Sequence, residues 1–190
     1  TREVQLPADE GFRGGIFCTD DSGASPSPMP FRLTDLENHL EAEPNNQFDE
    51  MPALTLPHAI NGIISEPGDY DYFKFSATKG QVWDAECYAR RVGSGLDPVI
   101  HIFDANKKTL AGNDDARRPD SYLRFQAPAD GEYYVRVYDH LRRGQPDFVY
   151  RIELTQPQPK FSLGINRIDR YSQQRQTIAV PQGGRFAVLM

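Results

Sequence analysis

Hydrophobic and polar residues alternate along the central part of the chain. Three segments, residues 72–76, 122–126 and 133–138, place an aromatic or aliphatic residue at every second position. A period of two predicts strands with one face in a core and the other face outside it. Residues 148–154 give a last strand of the same kind, whereas residues 99–103 are apolar on both faces and are predicted to lie centrally in a sheet.

Turn-forming residues separate these predicted strands. Glycine, asparagine and aspartate cluster between them, as at Gly112, Asn113 and Gly131. Many short strands with turns at this spacing are typical of a β-sandwich. The sequence therefore predicts an all-β fold, in which residues 33–40 are the only candidate helix.

The two cysteines stand far apart in the sequence and belong to no CxxC motif. Cys87 alternates with Trp83 and Ala85 in a strand-like run, so we predict a buried free thiol there. A disulfide between Cys18 and Cys87 remains open at this stage.

The two ends of the chain carry short strand patterns of their own. Each end is too small to fold alone, so each is predicted to belong to a neighbouring β-domain, or the two ends pair with each other. The predicted division is residues 1–36 as terminal strands of a preceding domain, 37–157 as the sandwich, and 158–190 as the first strands of a following domain. Within the last part, strands are predicted at 161–165, 177–180 and 185–188.

Composition excludes several functional classes. The chain has 190 residues, 38% of them hydrophobic, and a net charge of −6 without a clustered basic face, which argues against a nucleic-acid partner. No apolar run approaches the roughly 20 residues that span a bilayer. The sequence contains no common catalytic motif and its four histidines are scattered, so we predict that it is not an enzyme. The start at Thr1 without a signal-peptide pattern predicts a piece of a longer protein.

Five short motifs carry a family resemblance. They are Glu-Pro-Asn-Asn at 43–46, Gly-Asp-x-Asp-Tyr-Phe at 68–73, Gly-Ser-x-Leu-Asp-Pro at 93–98, Asn-Asp-Asp at 113–115 and Asp-Gly-x-Tyr at 130–133. In this order they resemble the bacterial pre-peptidase C-terminal domain, over about residues 41–155. Residues 144–151 are in addition similar to versions found in large, secreted, multidomain planctomycete-type proteins.

The resemblance implies a fold and a role. That family is a jelly-roll-like antiparallel β-sandwich, related to the collagen-binding domains of clostridial collagenases. It is usually an accessory module, commonly flanked by immunoglobulin-like β-domains in larger proteins that are secreted, periplasmic or on the cell surface. The partners implied are therefore neighbouring domains of the same polypeptide.

Two acidic segments supply the ligands that calcium prefers. Carboxylate and amide oxygens are its usual protein ligands, and the resemblance implies a calcium site built from such residues before and at the first long strand. Asn46 stands where the family often has aspartate, which leaves one charge fewer. The alternative is a polar turn in which Asp71 binds backbone amides. The predicted metal ligands are Glu41, Glu43, Asn45, Asn46, Asp69 and Asp71.

Two further groups of residues have open interpretations. Asp97, Asn113, Asp114, Asp115 and Asp120 lie in predicted loops, where such side chains usually bind nearby backbone groups and form turns.

On the strand at 133–138, Tyr134, Arg136 and Tyr138 are predicted to face outward, and such groupings favour recognition. They form a speculative ligand-binding face, unless a flanking domain covers the rings.

The functional hypothesis is a noncatalytic, calcium-stabilised accessory module of a larger extracellular bacterial protein, which positions or stabilises its neighbours. The alternative is a module that binds carbohydrate or a collagen-like peptide, with a polysaccharide or an extracellular protein as partner.

Overall fold

The computed structural model describes residues 5, 8, 13–48, 52–158, 165–168 and 173–176. The chain divides into two compact units, Thr1–Pro157 and Gln158–Met190. Within the described ranges, no helix is long and apolar enough to cross a membrane. The predicted strands at 177–180 and 185–188 lie outside the described residues, as does most of the one at 161–165.

The described elements are strands and a single 3-10 turn at Arg90–Val92. The strands are β1 (Arg13–Ile16), β2 (Thr19–Asp20), β3 (Gly23–Ala24), β4 (Met29–Arg32), β5 (Asn38–Leu40), β6 (His58–Ile63), β7 (Asp71–Ala77), β8 (Val82–Tyr88), β9 (Pro98–Asp104), β10 (Thr109–Asn113), β11 (Tyr122–Gln126), β12 (Gly131–Asp139), β13 (Val149–Thr155), β14 (Ile165–Ile168) and β15 (Gln173–Gln176).

Two sheets form the sandwich. One has four strands in the order β10-β9-β12-β7, and the other has five in the order β11-β8-β13-β6-β5. Neighbouring strands are antiparallel, apart from the parallel pair β5 and β6. The predicted all-β sandwich is confirmed. In the smaller unit, β14 pairs with β15.

The core lies between the two sheets. The alternating residues face inward as the pattern predicts: Phe73 and Phe75 from β7 meet Ile152 and Leu154 from β13 in one buried cluster. Both sheets contribute to this cluster, which is the defining feature of a sandwich. The apolar strand β9 lies inside its sheet, between β10 and β12, as predicted.

The two cysteines are free thiols in this structure. Cys87 is fully buried among the core side chains, as its alternation pattern predicts, and Cys18 is exposed. Burial raises the pKa of the Cys87 thiol well above its usual value, which keeps it neutral and unreactive.

The candidate helix at 33–40 is wrong. Its second half forms β5, where the backbone of Glu37 accepts a hydrogen bond from Ala59 N–H at 2.9 Å. Glu41 N–H continues the pairing by donating to the carbonyl of Asn61 at 3.0 Å. A helix this short has little stability of its own. Pairing with the free edge of β6 instead gives the backbone N–H and C=O groups of this segment their hydrogen-bond partners.

The first strands pair with each other and contact the sandwich. β1 pairs with β4. From β4, Arg32 donates to both carboxylate oxygens of Glu153 on β13, at 2.6 and 2.7 Å. Burial would raise the pKa of Glu153, but hydrogen bonds from Arg32 and Arg151 more than offset it, so the pKa is lowered. This charged pair attaches the N-terminal strands to the five-stranded sheet.

Candidate metal centre

The acidic segment 41–46 is held between β6 and β7. It begins directly after β5, where Glu41 N–H donates to Asn61. At its other end Tyr72 N–H, in β7, donates to the backbone carbonyl of Asn45 at 3.0 Å. The side chains of the segment are thereby placed over the start of β7.

Three carboxylates converge at this point. Glu41, Glu43 and Asp71 each offer an oxygen, and these oxygens lie within 4.8 Å of one another. Asp71 is fully buried at the start of β7, Glu41 is half-buried and Glu43 is exposed. The cluster is therefore closed on the side of the core and open on the side of Glu43.

Asn45 completes the cluster. Its side chain is 1% exposed, and one end of its amide lies 3.1 Å from both Asp71 Oδ1 and Glu43 Oε2. Turned one way, the amide nitrogen donates to both carboxylates. Turned the other way, the amide oxygen faces two carboxylate oxygens, and none of the three can donate a hydrogen bond to another. Such a group of oxygens is the ligand set that a hard cation prefers.

Tyr150 supports the carboxylates from the opposite sheet. Its hydroxyl lies 2.6 Å from Asp71 Oδ2 and 3.0 Å from Glu41 Oε2, although it has a single proton to donate. The other oxygen of Glu41 accepts the backbone N–H of Ile63 at 2.6 Å. Gly62, opposite Tyr150 in the sheet, makes this approach possible: a Cβ there would overlap Glu41 Oε2 and the Tyr150 hydroxyl.

The electrostatics of the cluster are unfavourable for its negative charges. Burial, followed by the charges of Glu41 and Asp69, raises the pKa of Asp71 to about 9. Burial and neighbouring carboxylates also raise the pKa of Glu43. Each shift arises because charge in a poorly solvated place is costly, and positive charge at the same place would remove the cost.

The two remaining predicted ligands shape the surrounding loop. Asp69 Oδ2 accepts the backbone N–H of Ser65 at 2.8 Å, and Asn46 Oδ1 accepts that of Tyr70 at 3.0 Å. Of the six predicted ligands, the structure thus gathers Glu41, Glu43, Asn45 and Asp71, while Asp69 and Asn46 hold the backbone around them. Sequence reasoning missed Tyr150 and Gly62.

In the second acidic group, Asn113 forms a turn as predicted, whereas Asp120 binds the backbone of a distant segment. Asp120 is fully buried and accepts the backbone N–H groups of Arg90 and Arg91, at 2.8 and 3.3 Å. Asn113 Oδ1 accepts the N–H of Ala116 at 2.9 Å. These oxygens are used by the chain itself.

The predicted ligand-binding face is partly covered by the chain itself. Tyr134 is 4% exposed because the ring of Phe48 packs on it, with centroids 5.1 Å apart. Tyr134 therefore lies on the outer face of β12, as predicted. It is not exposed to solvent, which the prediction did not foresee. Arg136 and Tyr138, further along the strand, are half-buried.

A comparison with protein families finds a match to the central part of the chain. Residues 69–139, from the loop before β7 to the end of β12, match the family described as the bacterial pre-peptidase C-terminal domain.

A curated relative aligns with half of the chain. A probable subtilase-type serine protease of Deinococcus radiodurans is 41% identical over 98 residues, which cover 50% of this chain. The same alignment covers 14% of the relative, so the chain spans a small part of that protein's length. The similarity to planctomycete-type proteins remains a prediction.

Two solved structures align with part of the chain. The pre-peptidase C-terminal domain of a collagenase from Bacillus anthracis aligns with a TM-score of 0.46 and 18% identity, over 58% of this chain and 100% of that one. PliG of Aeromonas hydrophila, a periplasmic inhibitor of g-type lysozyme, aligns with a TM-score of 0.37 and 16% identity, over 63% and 96%. Similarities of this size carry no argument about activity.

Proposed function

We propose that the domain is a noncatalytic, calcium-stabilised accessory module of a larger extracellular bacterial protein, where it positions or stabilises adjacent domains. The observation that carries the proposal is the convergence of Glu41, Glu43 and Asp71 around the buried amide of Asn45. The donor set consists of oxygens, and it combines carboxylates with an amide as calcium sites do.

Four side chains would hold the ion. Glu41, Glu43 and Asp71 would supply carboxylate oxygens, and Asn45 would turn its amide oxygen toward them. Bound calcium supplies positive charge that offsets the repulsion among these carboxylates. Tyr150 would continue to donate to Asp71 Oδ2 and so fix the buried carboxylate in place.

The effect on the domain would be linkage between ion binding and folding. Glu41 follows β5, whereas Asp71 begins β7, so their shared ion would join two parts of the chain that come together only in the folded domain. A ligand that binds the folded state alone stabilises it by mass action. It would also stiffen the segment that enters the sandwich.

The larger context is supported by the comparisons. The alignment with a much longer probable protease fits a module within a multidomain protein. Calcium sites of modest affinity, with dissociation constants of about 0.1–1 mM, are typical of extracellular modules. These points favour a secreted, periplasmic or cell-surface location.

A thermal melt tests this proposal. With calcium at about 100 times its dissociation constant, the free energy of unfolding should rise by about 2.7 kcal/mol, which raises the melting temperature by about 5–10 °C over that in chelator. Magnesium should give a smaller shift, because it demands stricter geometry and gives up its water reluctantly. An unchanged midpoint in calcium would contradict the proposal.

A second candidate function is a module that binds carbohydrate or a collagen-like peptide. It is favoured by one observation: Arg136 and Tyr138 stay half-buried on the outer face of β12, where Phe48 does not cover them. A glycan array and immobilised collagen-like peptides separate the two functions, since a purely structural module binds neither.

A further inference from the structure

The outer face of the four-stranded sheet centres on one arginine. Arg136 lies on β12, directly opposite Tyr72 on β7 and His101 on β9. Its guanidinium carbon is 5.0 Å from the ring centroid of Tyr138 and 5.3 Å from that of Tyr70. The guanidinium is therefore enclosed by rings on several sides.

This arginine has no acidic partner among the residues that the structure describes. Its Nη1 donates to the Tyr72 hydroxyl at 3.3 Å, and Nη2 lies 3.5 Å from His101 Nδ1. Its Nε is buried without any hydrogen-bond partner. Opposite charges that face each other across a sheet stabilise it, yet in this chain, with its net charge of −6, none of the ion pairs within the described ranges involves Arg136.

One further cation and one histidine ring lie beside Arg136. Arg142 is exposed, with its guanidinium carbon 5.8 Å from the ring of Tyr70. His101 stacks on Tyr138, with centroids 5.8 Å apart and an angle of 16° between the rings. Burial and the charge of Arg136 lower the pKa of His101. The face is complementary to an anion that has a flat or ring-shaped body.

We propose that this face binds a uronate-containing polysaccharide, with one sugar carboxylate paired to Arg136 and the sugar ring packed on Tyr138 or Tyr70. Guanidinium groups pair with carboxylates through two parallel hydrogen bonds, and each Nη of Arg136 has one proton left to donate. A uronic acid carries its carboxylate on the pyranose itself, so pairing brings the sugar ring over the adjacent aromatic rings.

A peptide ligand fits this face less well. β12 is an interior strand whose backbone is paired with β7 on one side and β9 on the other. It therefore offers no backbone groups for strand addition, the mode by which sheets commonly bind extended peptides. Recognition here has to rely on side chains, which suits a sugar. The inference rests on the second candidate function and is independent of calcium.

The test is a calorimetric titration of the full chain, in chelator, with a short oligomer of glucuronic acid. The neutral, carboxyl-reduced oligomer and an acidic peptide serve as the comparison ligands. We expect the uronate oligomer alone to bind. Because a charge-assisted pair is lost, Arg136→Gln should weaken binding by about ten- to hundredfold. Arg136→Lys should weaken it less, and Arg124→Gln, on the outer face of the other sheet, should leave it unchanged.

Binding should also raise the pKa of His101, followed by NMR, because a carboxylate beside Arg136 offsets the neighbouring positive charge. Failure of the uronate oligomer to bind, equal binding of the neutral oligomer or of the acidic peptide, or full affinity in a folded Arg136→Gln variant would overturn the inference. An unchanged His101 during binding would also overturn it, since the ligand would then lie elsewhere. Because the titration is carried out in chelator, none of these results depends on whether the chain binds calcium.

Discussion

Asp71→Asn is expected to abolish the calcium response and, in chelator at about pH 8, to make the protein more stable than the wild type by about 1–3 kcal/mol. The asparagine oxygen can still accept from Tyr150, which lies 2.6 Å from Asp71 Oδ2. Its nitrogen would occupy the place of Oδ1 and could donate to the amide oxygen of Asn45, 3.1 Å away. Folding at this pH requires Asp71 to take up a proton, whereas asparagine is neutral in both states and keeps the hydrogen bonds.

The pH dependence of this effect follows from the pKa of Asp71. In the unfolded chain the group ionises near 3.8, whereas in the folded domain it keeps its proton up to about 9. Between these values the folded state binds more protons, so stability in chelator should fall as pH rises. Calcium takes the place of the proton, and the decline should then disappear.

Denaturant unfolding at about pH 5 and about pH 8, with calcium and with chelator, measures both parts of this prediction. The matched control is Asp130→Asn, which makes the same change at the opposite end of β7 and β12 and should keep the calcium response. A variant of Asp71 that still responds to calcium like the wild type would refute the assigned role.

Gly62→Ala is expected to destabilise the domain by about 1–3 kcal/mol and to weaken calcium binding together with it. The new methyl group would lie 2.5 Å from Cζ of Tyr150, a buried ring that packs in the core and cannot easily retreat. It would also overlap Glu41 Oε2. The carboxylate can move, but only by leaving the cluster.

The control for Gly62→Ala is Asn61→Ala, one residue earlier on β6. The Asn61 side chain bonds to Asn38 and Arg151 on the opposite face of the sheet, so its loss should lower stability without changing calcium affinity. Thermal melts and calcium titrations of both variants make the comparison. If Gly62→Ala binds calcium with wild-type affinity, the tight packing of Gly62 against Glu41 has no part in the site.

The strands could be predicted from the sequence because their determinant is local. Inward and outward residues alternate with a period of two, and the residues at 72–76 and 133–138 carry that pattern without interruption. β5 could not be predicted in this way, since it owes its conformation to pairing with the edge of β6. Its three residues have no periodicity that would distinguish a strand from a short helix.

The residues of the candidate site could likewise be predicted only in part. The acidic segment and Asp71 could be found because carboxylates near a strand start are visible as motifs. Tyr150 could not, since it is 109 residues from Glu41 along the chain and its sequence pattern indicates a core position. Gly62 carried a weaker signal: a glycine inside a strand often marks a close approach. Neither the sequence nor the motif tells which side chain approaches.

The same reasoning explains the ligand-binding face. The alternation along β12 correctly places Tyr134, Arg136 and Tyr138 on one side. Whether that side is open depends on Phe48, from a distant segment, which covers Tyr134. The chemistry of Arg136 depends on which residues of β7 and β9 lie beside it. The order of strands in a sheet cannot be predicted from the sequence of any single strand.

A calorimetric titration of the metal-free chain with calcium tests the central claim most directly. The account predicts one calcium ion per chain at the cluster of Glu41, Glu43, Asn45 and Asp71. Because folded Asp71 keeps its proton up to about 9, binding at about pH 7 should release a proton, and the measured heat should change with the ionisation enthalpy of the buffer. The absence of binding at about 10 mM calcium would contradict the account, and binding without proton release would contradict the raised pKa of Asp71.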